Sequence, residues 1–357
     1  MEGPPVPQER SRSIQYINKL RILSIYLVVT AHVTIGLTMS STVFSFHWWL
    51  GTAIFYACFC SIPVFVMISG ALLLNTSREE PLGEFYRKRM TRVGAPLVIW
   101  TVVYLFVRAF VDKEHLTAGR VFELIITADP YYHLWFLYMI VGLYLVTPAL
   151  RTFVRHATQR ERVFVIVLML ILANAYGQAD NLLWQNQRSI FTLFVPYIAF
   201  YLLGFELGQI DPRKMPPAKY IVLGVLLCVV YLAAFAPAFI ARQGGVGPGK
   251  RFLFDFFTPP IVLPSIAIFW IARRLEALGS PVAGFRKTAV EWVASATLGV
   301  YALHPLVLNR LQHALRHHTS EGSFLLGVLL VPLVTFALCY AITTVLMNIP
   351  ILRRSVC

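Results

Sequence analysis

Two ionisable side chains inside one apolar run, Arg21 and His32 in RILSIYLVVTAH, carry the first suggestion of chemistry. At about 100° and about 1.5 Å per residue, their spacing puts them within roughly 20° on one helical face and about 16 Å apart along it. A guanidinium at the lower station suits a phosphate or carboxylate, and an imidazole at the upper one can take a proton near neutral pH. Each also has an ordinary explanation. Arg21 can snorkel to the membrane surface, and His32 can serve a hydrogen bond between helices.

A second cluster is FYRKRMTRVGAP, where Arg89 and Arg92 form an R-x-x-R pair with Arg87 and Lys88 beside them. Helical spacing keeps the pair on one side, although such charges are also common where a span leaves the cytoplasm. Just before it, VFVMISGALLL places Ser69 and Gly70 near the same surface. Glycine permits close approach of a ligand or a helix and serine can bond to either, so packing alone explains the pair equally well. Three further segments contribute polar groups: His133 and Trp135 in YYHLWFLYMIVGLYL, His304 in LGVYALHPLVL and Asp255 in RFLFDFF. By depth, His32, His133, His304 and Asp255 are expected in the outer half of the membrane, where they could line one cavity. No histidine pair has metal-ligand spacing with a carboxylate nearby, and His317 and His318 fall in a polar loop, so no metal is expected.

The elements that must hold these residues are transmembrane helices. The chain has 357 residues, 57% of them hydrophobic and 13% charged, with a mean hydropathy of +0.67. That is more apolar surface than one soluble core can bury, so the excess faces lipid. Apolar segments of spanning length fall near 18–39, 50–74, 92–111, 133–150, 163–177, 190–208, 218–240, 252–272, 293–311 and 323–349. They predict an all-α, polytopic integral membrane protein of about ten transmembrane helices. The fifth segment is the shortest, and its loss would invert every later loop.

The formal charge of +14 would suggest nucleic acid in a soluble protein. Here 22 of the 31 Lys and Arg fall on one set of alternate connections and 9 on the other. With both termini cytoplasmic this is the positive-inside pattern, and no nucleic-acid partner is needed to explain the charge. His47, Trp48 and Trp49, with Tyr131 and Tyr132, fit an interfacial aromatic belt. Cys58, Cys60, Cys228 and Cys339 lie in apolar runs and Cys357 is the last residue, a pattern unlike a disulfide framework. Residues 1–16 are expected as a disordered cytoplasmic N-terminus, 17–350 as the membrane-embedded domain and 351–357 as a cytoplasmic tail. The first apolar run is too long for a signal-peptide core and no A-x-A-like site follows it, so the first span is expected to be retained.

Taken in order, R-x10-H (Arg21, His32), F-V-x-I-S-G (Ser69, Gly70), R-x-x-R (Arg89, Arg92), H-L-W-F-L from His133 and L-G-V-Y-x-L-H-P ending at Pro305 resemble the membrane-bound acyltransferase-3 family. The closest likeness is to its stand-alone surface-polysaccharide O-acetyltransferase type. The resemblance implies a multi-pass enzyme of the cytoplasmic (inner) membrane. It would take an acyl group, usually acetyl, from acyl-CoA as co-substrate and pass it to a hydroxyl of an extracytoplasmic or lipid-linked glycan. It implies His32 as the essential histidine with Arg21 as its partner, and Arg89 and Arg92 as the paired arginines. Coenzyme A phosphates are then expected at Arg89 and Arg92, near Ser69 and Gly70. His32 would be a general base or a transient acyl carrier. His133, Trp135, Asp255 and His304 are assigned to the substrate pocket by depth alone. Partners would be acyl-CoA, a glycan or glycolipid and membrane lipid. A glycan or lipid-linked-intermediate transporter, or a non-catalytic component of a glycan-assembly complex, is the competing expectation. No internal repeat or matched pair of broken helices supports the transporter.

Overall fold

The computed structural model describes residues 7–75, 80–179, 189–213, 222–226, 228–230, 255–279, 284–315 and 324–356. Every regular element among them is helical. The helices that matter here are α1 (Pro7–Met39), α2 (Phe46–Ala57), α3 (Ser61–Leu73), α4 (Leu82–Arg89), α5 (Ala95–Phe106), α6 (Ala118–Ile126), α7 (Trp135–His156), α8 (Gln159–Ala179) and α9 (Ile198–Gln209). They continue with α10 (Pro259–Leu278), α11 (Gly284–Ser295), α12 (Thr297–Leu315), α13 (Phe324–Met347) and α14 (Pro350–Val356).

Six segments among the described residues are long and apolar enough to cross a membrane: Gln15–Met39, Phe46–Leu73, Leu82–Val111, Trp135–His156, Gln159–Ala179 and Phe324–Met347. They match the first five expected spans and the last. The fifth, shortest in the sequence, lies within a helix of 21 residues. Its Phe164, Val167, Leu168, Ile171 and Leu172 are exposed, as are Leu325, Leu326, Leu329, Leu330 and Leu333 of α13. Such continuous apolar faces are what a bilayer covers.

The remaining expected spans look different. Segment 190–208 starts in turns and becomes helical at Ile198. Segment 252–272 corresponds to α10, which starts at Pro259 because proline suits the first helical turn, where its missing N–H costs nothing. Segment 293–311 is divided at Ala296 between α11 and α12. Segment 218–240 lies mostly outside the described residues, and its described parts, 222–226 and 228–230, are helical.

The chain forms two compact units, the first of residues 1–68 and 209–343, the second of 69–208 and 344–357. In the first, α1 is central and packs against α2, α10, α11 and α12. Leu20, Ile25, Val29 and Val33 of α1 are fully or almost fully buried. A Cβ at Gly51 would stand 2.0 Å from Thr38 Oγ1 and 3.1 Å from Phe324 Cζ, so glycine lets α2 approach α1. Lys19 on α1 pairs with the buried Glu276 of α10 at 2.5 Å, which compensates a carboxylate held away from water.

In the second unit, α4 passes into α5 through a π-helical turn, Met90–Gly94, closed by the Ala95 N–H donating to the Met90 carbonyl. Pro96 has no N–H to offer the Arg92 carbonyl four residues back, a local reason for the wider turn. The Tyr86 hydroxyl donates to the Leu145 carbonyl at 2.9 Å and the Trp100 indole to the Ser355 carbonyl at 2.7 Å. These bonds tie α4 to α7 and α5 to α14.

Candidate active site

In the first unit the site is a pair of imidazoles. His32, half-buried on α1, stacks on the fully buried His304 of α12, with ring centroids 5.2 Å apart and planes at 29°. The H-P dipeptide explains how the second ring is held. In a regular helix the Tyr301 carbonyl would receive the N–H of residue 305, and Pro305 has none. His304 Nδ1 takes that place, donating to the Tyr301 carbonyl at 2.7 Å. With hydrogen on Nδ1, the neutral ring presents Nε2 as an acceptor.

Arg21 is half-buried on the same continuous helix, so its spacing from His32 is that of an unbroken α1. Asp255 sits ahead of α10 rather than inside it. Its Oδ1 accepts from the Phe256 N–H at 2.7 Å, and its carbonyl accepts from the Thr258 N–H at 3.0 Å and hydroxyl at 2.8 Å. These bonds shape the turn that leads into α10, and Phe256 stacks on Phe59 at 5.0 Å.

The second unit holds the other named residues. A Cβ at Gly70 would stand 1.8 Å from the Tyr201 carbonyl oxygen, so only glycine allows α3 and α9 this close. Ser69 beside it is half-buried. Arg89 lies with its guanidinium 5.4 Å from the centroid of the buried Phe85 ring, and its Nε is enclosed with no hydrogen-bond partner among the described residues. Arg92, on the π-helical turn, is exposed. The two arginines of the R-x-x-R pair therefore have different surroundings.

His133 is buried, edge-on to Tyr104 at 4.8 Å and to Tyr131 at 5.9 Å, while Tyr104 and Tyr131 stack at 4.4 Å. Arg108 holds the turn that carries it, donating to the carbonyls of Asp129 at 3.0 Å and Pro130 at 3.2 Å. Arg108 also donates to Glu114 at 2.6 Å, which keeps the Glu114 carboxyl below the usual carboxylate range. Trp135 opens α7 with its ring 5.9 Å from Tyr197.

The structure thus joins His32 with His304, and sets Ser69, Gly70 and Arg89 in the other unit with His133 and Trp135. Sequence reasoning missed Arg151, counted only as a loop charge. It is buried on α7, one turn beyond Thr147, and its position after T-P-A-L within an apolar run was the available signal. Among the described residues no group of three or more His, Cys, Asp or Glu could hold a metal ion.

A family model described as "Acyltransferase domain", of the acyltransferase-3 family, matches residues 14–344. "Glucans biosynthesis protein C" of Salmonella schwarzengrund (strain CVM19633) is 22% identical, with 93% of this chain and 91% of the relative covered. Proteins of the same name from Salmonella paratyphi B and Salmonella agona are each 22% identical, over 86% of this chain and 84% of theirs. No solved structure matches.

Proposed function

Since the chain belongs to the acyltransferase-3 family and is a membrane acyltransferase, we propose that it moves an acetyl group from cytoplasmic acetyl-CoA to a hydroxyl of an extracytoplasmic or lipid-linked glycan. The observation that carries this is the stacked His32–His304 pair, an imidazole couple inside an apolar helical unit where ionisable groups are costly. His304, with Nδ1 tied to the Tyr301 carbonyl, is the fixed ring against which His32 stacks. His32 is then the general base. It removes the acceptor hydroxyl proton as that oxygen attacks the thioester carbonyl, the carbon–sulfur bond breaks, and the proton passes to the departing coenzyme A sulfur.

Arg89 and Arg92 bind the donor phosphates, since guanidinium forks match phosphate oxygens, and Arg21 is the partner of His32 on α1. Ser69 and Gly70 contribute to donor binding. The remaining candidates for acceptor binding are Asp255 and His304 in the first unit and His133 and Trp135 in the second. The glycan class of acceptor is supported by relatives whose name refers to glucans. The proposal places the chain as a multi-pass protein of the cytoplasmic (inner) membrane with ten spans. Residues 17–350 form the acyltransferase domain, with 1–16 and 351–357 on the cytoplasmic side. The distribution of Lys and Arg supports that orientation.

The test is release of free coenzyme A and transfer of labelled acetyl to cell-surface glycans by purified, folded protein. His32→Ala is expected to abolish both, and near-normal transfer by that variant overturns the assignment. Movement of glycan without coenzyme A release would indicate a transporter instead.

A further inference from the structure

Arg151 is a buried cation that the proposed function leaves unused. From α7 it reaches three other segments of the second unit. Its Nε donates to the Leu73 carbonyl at the end of α3 at 2.7 Å. Its guanidinium stands 4.6 Å from the centroid of the Phe85 ring on α4, and its Nη1 lies 3.7 Å from Glu80. Phe85 is fully buried and is the same ring that Arg89 covers. One turn before Arg151, Thr147 and Tyr201 share a hydrogen bond at 2.9 Å, and the Tyr201 carbonyl is the surface against which Gly70 packs. A connected framework therefore runs from Gly70 through Tyr201, Thr147, Arg151 and Phe85 to Arg89.

Among the described residues, charge at this framework is unbalanced. Glu80 serves both Arg151 and Lys88, at 3.7 and 3.0 Å, and Lys88 takes Glu84 as well at 2.6 Å. Two carboxylates thus serve Lys88 and Arg151, while Arg89 lies on the ring beside a second guanidinium. A cluster with surplus guanidinium charge is completed by an anion with several oxygens.

We infer that Arg151 is a positioning residue for donor binding: by fixing the Phe85 ring against the end of α3 it aims Arg89 at the phosphates of the acyl donor. This rests on Arg89 and Arg92 being phosphate ligands. Arg151 suits the task because a planar guanidinium can donate along its edge to a carbonyl while its face covers a ring, which an ammonium cannot do.

The test is calorimetric titration of the purified full chain, in lipid nanodiscs, with coenzyme A as the probe. Arg151→Met is expected to weaken binding about tenfold, equivalent to one charge-assisted contact. Phe85→Leu keeps every charge and is expected to weaken it about threefold or more through the lost ring contact. On an Arg89→Ala background, Arg151→Met should add little, because no guanidinium is left to aim. A purely structural role would instead lower the fraction of protein that binds and leave the Kd of the remainder unchanged. Wild-type Kd in the binding-competent fraction of Arg151→Met or Phe85→Leu, or full additivity with Arg89→Ala, overturns the inference. Should Arg151→Met fail to fold, Phe85→Leu decides. Weak binding in Arg89→Ala alone, with normal binding in the other two, refutes only the role of Arg151. Normal binding in Arg89→Ala refutes the phosphate assignment and this inference with it.

Discussion

The histidine pair of the first unit and the arginine cluster of the second both place polar side chains among apolar helices, and they are supported in different ways. His304 is satisfied locally, by a carbonyl on its own helix that Pro305 has released, and its ring stacks on His32. Arg151 and Arg89 are permanently charged. They are held by contacts drawn from α3, α4, α7 and the Glu80 segment. The contrast follows from the groups. An imidazole can shed its charge and be satisfied within one helical turn, whereas a guanidinium cannot and must collect partners from elsewhere. The proposed proton-transfer site can therefore sit on two helices, while the proposed phosphate site needs a framework.

The strongest way to break this comparison is at His32. His32→Gln is expected to lower acetyl transfer by about 10²–10⁴-fold, the range of general-base catalysis, in protein that still binds coenzyme A. His304→Phe keeps a ring in the stack and should cost less, about tenfold, as expected for loss of one hydrogen-bonded orienting group. Equal losses in the two variants would mean that the rings are not divided into base and support. Initial rates of coenzyme A release measure both.

The arginine side is sharpened by separating its two members. Arg89→Ala should weaken coenzyme A binding by about tenfold or more, equivalent to a charge-assisted contact, and Arg92→Ala by less because that side chain is exposed. Titration calorimetry ranks them, and a larger loss at Arg92 would reverse the roles.

Gly70→Ala tests the framework rather than the chemistry. Its Cβ would meet the Tyr201 carbonyl, which is backbone and cannot rotate away, so a loss of about 1–3 kcal/mol is expected. Gly83→Ala, with open space around it, should leave the thermal midpoint unchanged.

The smallest effect is at Glu114, outside the spans. Its carboxyl is held low chiefly by the hydrogen bond from Arg108, with Arg120 adding to it. A depressed carboxylate contributes stability that is present above its unfolded value, near 4.3, and is lost as pH falls through the folded value. Acid should therefore lower the melting temperature slightly more in the native chain than in Glu114→Gln. Parallel melting curves across pH 3–6 for the two proteins would remove Glu114 from the account.

Hydropathy was enough to identify helices of spanning length at 18–39, 50–74, 92–111, 133–150, 163–177 and 323–349, because lipid-facing segments must be apolar throughout and satisfy their own backbone. It could not show that 293–311 is divided at Ala296. Nor could it show that residues 190–197 turn before α9 begins, since both segments are apolar and only their packing differs.

The sequence by itself determined the family, the helical membrane architecture and the identity of Arg21, His32, Arg89 and Arg92 as candidates, since charge inside an apolar run is visible in one dimension. Tertiary structure alone decided that His32 meets His304 and that Gly70 faces a carbonyl. It also showed that Arg151, unremarked as a loop charge, shares a buried ring with Arg89. Each of these contacts joins residues far apart in the chain, and periodicity along a helix says which face a side chain occupies but not which helix that face will meet.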